Sequence, residues 1–128
     1  MEEEDRRKPV KTFEDLEVFQ RAYRISLEVH GASLEFSALD QRALADQIRW
    51  ASKSICANLA EGFGKQGQSK KEFRRYVAIA VGSSDEMRLW SRYCLDLNYV
   101  DQETWHRWRD EYLAIAKMLQ SLHRSLSS

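Results

Sequence analysis

The chain reads as an all-α protein, a bundle of four helices, and three observations predict it. Its 128 residues include one proline and five glycines among abundant Leu, Ala, Glu, Arg and Gln, the usage of helices rather than of a sheet. Apolar residues recur at three-four spacing in four successive segments. Between the second and third lies Gly62-Phe63-Gly64-Lys65-Gln66-Gly67-Gln68-Ser69, and Ser69 with Glu72 makes the S-x-x-E pattern that opens a helix. Gly62 is expected to end the preceding helix by entering the left-handed region, so Ile48 to Glu86 reads as an antiparallel helical hairpin.

At 15.0 kDa one domain suffices, and a domain of this size buries roughly 68% of its unfolded surface. Lys plus Arg and Asp plus Glu are both 20, so net charge draws the chain neither to nucleic acid nor to anionic membrane. Cys56 and Cys94 fall in helical patterns and read as reduced, core-like thiols, with a disulfide the open alternative. No apolar run approaches the ~20 residues that span a bilayer, and Met1-Glu2-Glu3-Glu4-Asp5 is not a signal-peptide start. The expectation is a soluble cytoplasmic protein with no membrane partner.

Residues 1–11, with four acids, then Arg6, Arg7, Lys8 and Lys11 around Pro9, read as a flexible charged arm, and 12–128 as the bundle domain. Thr12 with Asp15 resembles a capping box that opens helix 1, expected to reach about Leu34. Leu16, Phe19, Tyr23, Leu27, His30 and Leu34 share one face and Val18, Ala22, Ile25 and Val29 nearly the opposite one. A helix apolar on two faces needs two partners. Glu17 with Arg21 and Arg24 with Glu28 are spaced for ion pairs along the helix. His30, with no second His or Cys at ligand spacing, reads as a core or interface histidine.

Ser37 or Asp40 would cap helix 2, which runs to Glu61 with Leu44, Ile48, Ala51, Ile55, Leu59 and Gly62 as its seam. Trp50 lies on the back of that helix, marking an interface unless it is an isolated exposed indole. Helix 3, from Lys70 to about Leu97, has a core face of Phe73, Tyr76, Val77, Ala80, Ser84, Met87, Cys94 and Leu95. Ile79, Gly82, Trp90, Tyr93 and Leu97 spread onto the rest, and the small residues Gly82-Ser83-Ser84 suit close approach of another helix, or else a bend. Trp50, Ile79, Gly82 and Tyr93 are thus the candidate oligomer interface. Asn98-Tyr99-Val100 closes helix 3, and Asp101 caps helix 4, whose single seam is Trp105, Trp108, Tyr112, Ile115, Leu119, Leu122 and Leu126.

No catalytic, cofactor or metal site is expected. Glu103-Thr104-Trp105-His106 matches the E-x-x-H of di-iron bundles, but that chemistry needs two copies and two further carboxylates facing inward. Three scattered histidines offer no triad, and the glycine loop lacks G-K-[ST]. Charge is polarised along the chain. From Arg42 to Arg75 eight bases (Arg42, Arg49, Lys53, Lys65, Lys70, Lys71, Arg74, Arg75) face three acids, while Asp85 to Glu111 has seven acids and four bases. The basic stretch is a candidate site for phosphate backbones, the alternative being an ordinary solvated surface.

Gln47-Ile48-Arg49, the run from Ser54 to Gly64, Lys71 to Tyr76, Ile79-Ala80 and Gly82-Ser83 together resemble the 23S rRNA intervening-sequence protein family. Phe13-Glu14-Asp15-Leu16-Glu17-Val18-Phe19 is similar to its opening. Cys56 stands where the family commonly has proline, so a kink in helix 2 does not carry over. The resemblance implies an antiparallel up-down-up-down four-helix bundle assembling as a homopentameric barrel, with no established enzyme activity. It also implies kinship with the accessory proteins of diversity-generating retroelements, which bind a reverse transcriptase and nucleic acid through a basic surface. The expected function is a non-enzymatic oligomeric adaptor or scaffold for RNA, DNA or a nucleic-acid enzyme. The competing expectation is a structural or protein-binding homo-oligomer without nucleic-acid affinity.

Overall fold

The computed structural model describes residues 9–127, and most of the predicted arm, 1–8, lies outside them. Four long helices carry the fold: α1 (Glu17–Ser33), α2 (Asp46–Lys65), α3 (Lys70–Asp96) and α4 (Gln102–Ser125), with no strand among the described residues. Each packs on its neighbour in sequence, and α1 also meets α4. Between them lie Ile48, Ile55, Leu59, Val77, Met87, Trp108, Tyr112, Ile115 and Leu119, all fully buried. No helix is long and apolar enough to cross a membrane among the described residues.

The N-terminal cap differs from expectation. Thr12 and Asp15 do form a capping box, but it opens only a 3-10 turn, Phe13–Asp15. Leu16 is extended, at φ −72° and ψ 126°, so α1 starts afresh at Glu17. Val18, Ala22, Ile25 and Val29 make its core face. The ion pairs expected along α1 are made to α4 instead. Arg21 grips Glu111 through two bonds of 2.6 and 2.9 Å, while Glu28 accepts from Arg107 and from the indole Nε1 of buried Trp108 at 3.0 Å. Two-pronged guanidinium bonds to a half-buried partner outweigh exposed four-apart pairs.

Ser37 caps a single turn, Ala38–Asp40, and a π-helical turn, Gln41–Ala45, leads into α2. The extra residue in that turn lets the Gln41 amide reach back to the Ser33 and Phe36 carbonyls, both at 3.0 Å, satisfying groups that α1's end leaves open. Arg49 completes the corner through Ser33 Oγ at 2.8 Å and Asp46 at 2.9 Å.

Gly62 also differs from expectation. No glycine has positive φ, and α2 runs through Gly62 to Lys65. A Cβ there would lie 2.7 Å from Tyr76 Cβ and 3.0 Å from Phe73, so glycine serves close approach of α2 to α3 rather than a turn. Further along the same pair Ser83 Oγ donates to Ser54 Oγ at 2.9 Å, which explains the small residue at 83. Ser69 accepts from Glu72 N at 3.3 Å, while the Glu72 carboxylate turns to Arg75 rather than closing the box.

Asn98 ends α3 in the left-handed region at φ 67°, with Tyr99 N bonded to Cys94 O at 2.8 Å. Asp101 then caps α4, accepting from Thr104 N at 2.8 Å. Tyr99 ties this connection to the first one. Its ring stacks on Phe36 at 4.0 Å, and its hydroxyl donates to Asp40 and bonds Ser37 Oγ at 2.9 Å.

Candidate interaction surfaces

The eight predicted basic residues do not form one cluster. Arg49 and Lys65 share α2, and at about 1.5 Å per residue roughly 24 Å of helix separates them. Arg49 is committed to the α1–α2 corner, and Arg42 lies exposed in the π turn beside it. Lys53 is mid-helix, its Nζ 2.9 Å from His30 Nδ1. Burial, and then the nearby Arg49 charge, hold its ammonium below the usual lysine value. That leaves Lys65, Lys70, Lys71, Arg74 and Arg75 at the hairpin end.

Within that group the bases divide again. Arg74 Nη1 donates to Leu126 O at 3.3 Å, capping the end of α4. Arg75 pairs with Glu72 at 3.3 Å and lies over the Tyr76 ring at 4.7 Å. Lys65, Lys70 and Lys71 have no carboxylate partner among the described residues. Lys70 and Lys71 occupy the first turn of α3, where the helix dipole disfavours cations, so they do not serve helix stability. Sequence reasoning missed two neighbours. His123, from the last turn of α4, lines a shallow hollow with Lys71, Glu72, Arg74 and Arg75, and Arg124 follows it on the same helix. The signal was present in α4, because cations complement a helix C-terminus, but a tally along the sequence cannot see across the bundle.

The candidate interface residues are exposed. Trp50 keeps 76% of its surface, Tyr93 49% and Ile79 43%, and a Cβ on Gly82 would meet nothing within 4 Å. Leu27 and Leu34 of α1, at 56% and 60%, extend the uncovered apolar surface. They belong to the first stripe of helix 1, half of the two-faced pattern read from the sequence; the opposite stripe is buried in the chain, while of the first only Leu16 and Phe19 pack partly against the core. The Lys53–His30 contact joins α1's outer stripe to the back of α2, and the Ser54–Ser83 bond joins α2 to α3. Trp50, one turn before Lys53 and Ser54, therefore sits between the two outer stripes.

No three His, Cys, Asp or Glu side chains converge as metal ligands among the described residues, and His106 lies against the Trp105 ring at 4.7 Å. Cys56 and Cys94 are free thiols, pushed by burial up to about 11 and about 12. Burial likewise raises the Tyr112 hydroxyl.

Fold and surface together define a four-helix protein with large apolar side chains exposed on α1, α2 and α3 and a basic end at the α2–α3 connection. The chain belongs to the 23S rRNA-intervening sequence protein family, whose description matches residues 14–121. It is similar in fold to a crystal structure from Bacteroides thetaiotaomicron VPI-5482, described as a protein with unknown function from the S23 ribosomal protein family. The TM-score is 0.73 at 20% identity, over 84% of this chain and 95% of that one. No curated protein matches the chain.

Proposed function

We propose that the chain is a non-enzymatic, self-assembling scaffold of antiparallel up-down-up-down helices that works in the cytoplasm. The observation that carries assembly is the uncovered apolar surface of α1, α2 and α3, with Trp50 three-quarters exposed at its centre. Large apolar side chains left exposed on three helices of one folded chain favour a contact site there. The helix directions rest on paired contacts: His30 with Lys53 and Ser33 with Arg49, then Ser54 with Ser83 and Gly62 with Tyr76, then Arg21 with Glu111 and Glu28 with Arg107. In each pair one number rises as the other falls. A homopentameric barrel is the assembled form this reading expects.

The cargo proposed for the basic end is a phosphate backbone, of RNA or DNA, or a nucleic-acid enzyme of the reverse-transcriptase kind, as in the retroelement accessory proteins. Lys65, Lys70 and Lys71, free of carboxylate partners among the described residues, support it, with Lys71 sharing a hollow with His123, whose neighbour on α4 is Arg124. The non-enzymatic reading is supported by thiols held away from their nucleophilic form. A second reading, a protein-binding homo-oligomer without nucleic-acid affinity, is favoured by zero net charge and by the internal use of Arg49, Arg74 and Arg75.

Light scattering at micromolar concentration tests assembly. The expected mass is several times 15.0 kDa, reduced in Trp50→Glu without loss of helical circular dichroism. A stable monomer would refute it.

A further inference from the structure

The outer stripe of α3, and the junction where the outer stripe of α1 meets the back of α2, each carry one charged side chain, of opposite sign: Glu86 and Lys53. On α3, Glu86 is exposed on the face of Ile79, Tyr93 and Leu97, and it makes no ion pair or hydrogen bond among the described residues. Around it Asp85 pairs with Arg88 and Arg92 with Asp96, so the neighbouring charges are already matched. On α1, His30 lies between Leu27 and Leu34, and Lys53 reaches it from α2 at 2.9 Å without a carboxylate of its own. Axial levels agree as well. With Ser54 bonded to Ser83 and Gly62 against Tyr76, moving up one helix moves down the other, which brings Glu86 to the height of Trp50 and Lys53.

We infer that the partner of this apolar face is a second copy of the chain, keyed by charge: Glu86 of one copy seats against Lys53 and His30 of the next, with Trp50 packed beside the contact. The inference rests on the assembly reading and adds which stripe meets which. An apolar stripe interrupted by a lone acid is a poor match for itself, because two carboxylates would be brought together with water excluded. It suits a stripe interrupted by a base. Burial and the Arg49 charge already disfavour the Lys53 ammonium, so a carboxylate delivered there relieves a cost present in the single chain. Gly82, one turn before Glu86 and with open space above it, lets the facing helix approach closely enough for that bond.

The test is charge reversal read by light scattering and by the dissociation constant from dilution. Glu86→Lys and Lys53→Glu should each weaken assembly by roughly tenfold or more, the neutral Glu86→Gln by less, and the double variant Glu86→Lys/Lys53→Glu should recover most of the loss. Circular dichroism and melting temperature report whether each variant is folded, and a mixture of the two single variants, which can match about four of the five contacts of a five-membered ring, offers partial rescue without a double change. An assembled parent whose double variant and mixture remain as dissociated as the single variants overturns this inference alone. A monomeric parent overturns the assembly reading and the inference with it.

Discussion

A methyl group on Gly62 would lie 2.7 Å from Tyr76 Cβ, a separation backbone-linked carbons do not sustain, so Gly62→Ala must push α2 and α3 apart. The change gains about 1 kcal/mol of helix propensity and loses roughly 1–3 kcal/mol to overpacking. A lower melting temperature is expected, whereas Gly82→Ala, with open space around it, should raise that of the single chain. Glu111 titrates against the same kind of local constraint. The Arg21 hydrogen bond holds its carboxyl below the ordinary value despite burial. A carboxylate depressed in the folded state contributes stability above its unfolded pKa of about 4.3 and loses it as pH falls through the lower folded value. Glu111→Gln should therefore cost about 1 to 2 kcal/mol at pH 7 in chemical denaturation and progressively less toward pH 3. If the cost were the same at both values, the Arg21 pair would not be its source. The thiols offer a third measurement at this scale. With Cys94 up to about 12 and Cys56 up to about 11, both should react with a thiol reagent at pH 8 far more slowly in the folded chain than in denaturant.

Among the elements, α4 was the most legible, because its seam is single: Trp108, Tyr112, Ile115, Leu119 and Leu126 are buried as their spacing predicts, while Trp105 and Leu122 of the same seam stay half-buried. Helix 1 was legible as a pattern but not as a start. A capping box marks an N-terminus without saying how many turns follow, and here extended Leu16 ends the first after three residues. The end of α2 was misread for a related reason. Glycine can be retained for φ or for clearance, and sequence does not distinguish a turn from a helix-helix contact made by Phe73 and Tyr76 eleven or more positions later. The π turn before α2 had no signal, since its cause is tertiary: Gln41 reaching the end of α1. Nor did spacing reveal that Tyr99 joins the two connections at that end of the bundle. Tyr99→Phe keeps the stack on Phe36 and removes the hydroxyl shared by Asp40 and Ser37. It should cost about 1 kcal/mol in denaturant titration, and Asp40→Asn in the Tyr99→Phe background should add little if the two act as one unit.

At the scale of the whole molecule the candidate surfaces were legible in part, and what divides them is whether a residue acts outward from its own helix or depends on what its neighbours use. Trp50, Ile79, Gly82 and Tyr93 needed only helical phase, and all four face outward. The basic set needed knowledge of partners: Arg49 braces a corner, Arg74 caps α4, and Arg75 is paired, while His123 and Arg124 arrive from the far end of the sequence. This redistribution sharpens the nucleic-acid prediction. If the basic end takes a phosphate backbone, the contacts come from Lys65, Lys70, Lys71 and Arg124, and repetition around a cyclic assembly multiplies a small local excess into a rim of positive charge. Binding of single-stranded RNA, followed by fluorescence anisotropy, should then weaken with salt at a logarithmic slope of about −0.7 per phosphate contacted, with little sequence preference. Lys70→Glu with Lys71→Glu should abolish it while leaving the assembled mass unchanged, since both side chains are exposed at the start of α3, away from Trp50. Arg42→Glu, at the opposite end of α2, should leave it intact, and equal losses from Arg42 and from the lysine pair would mean a diffuse field rather than a site. Absence of binding at low salt, in chains shown to be assembled, would leave the protein-binding scaffold as the reading that stands.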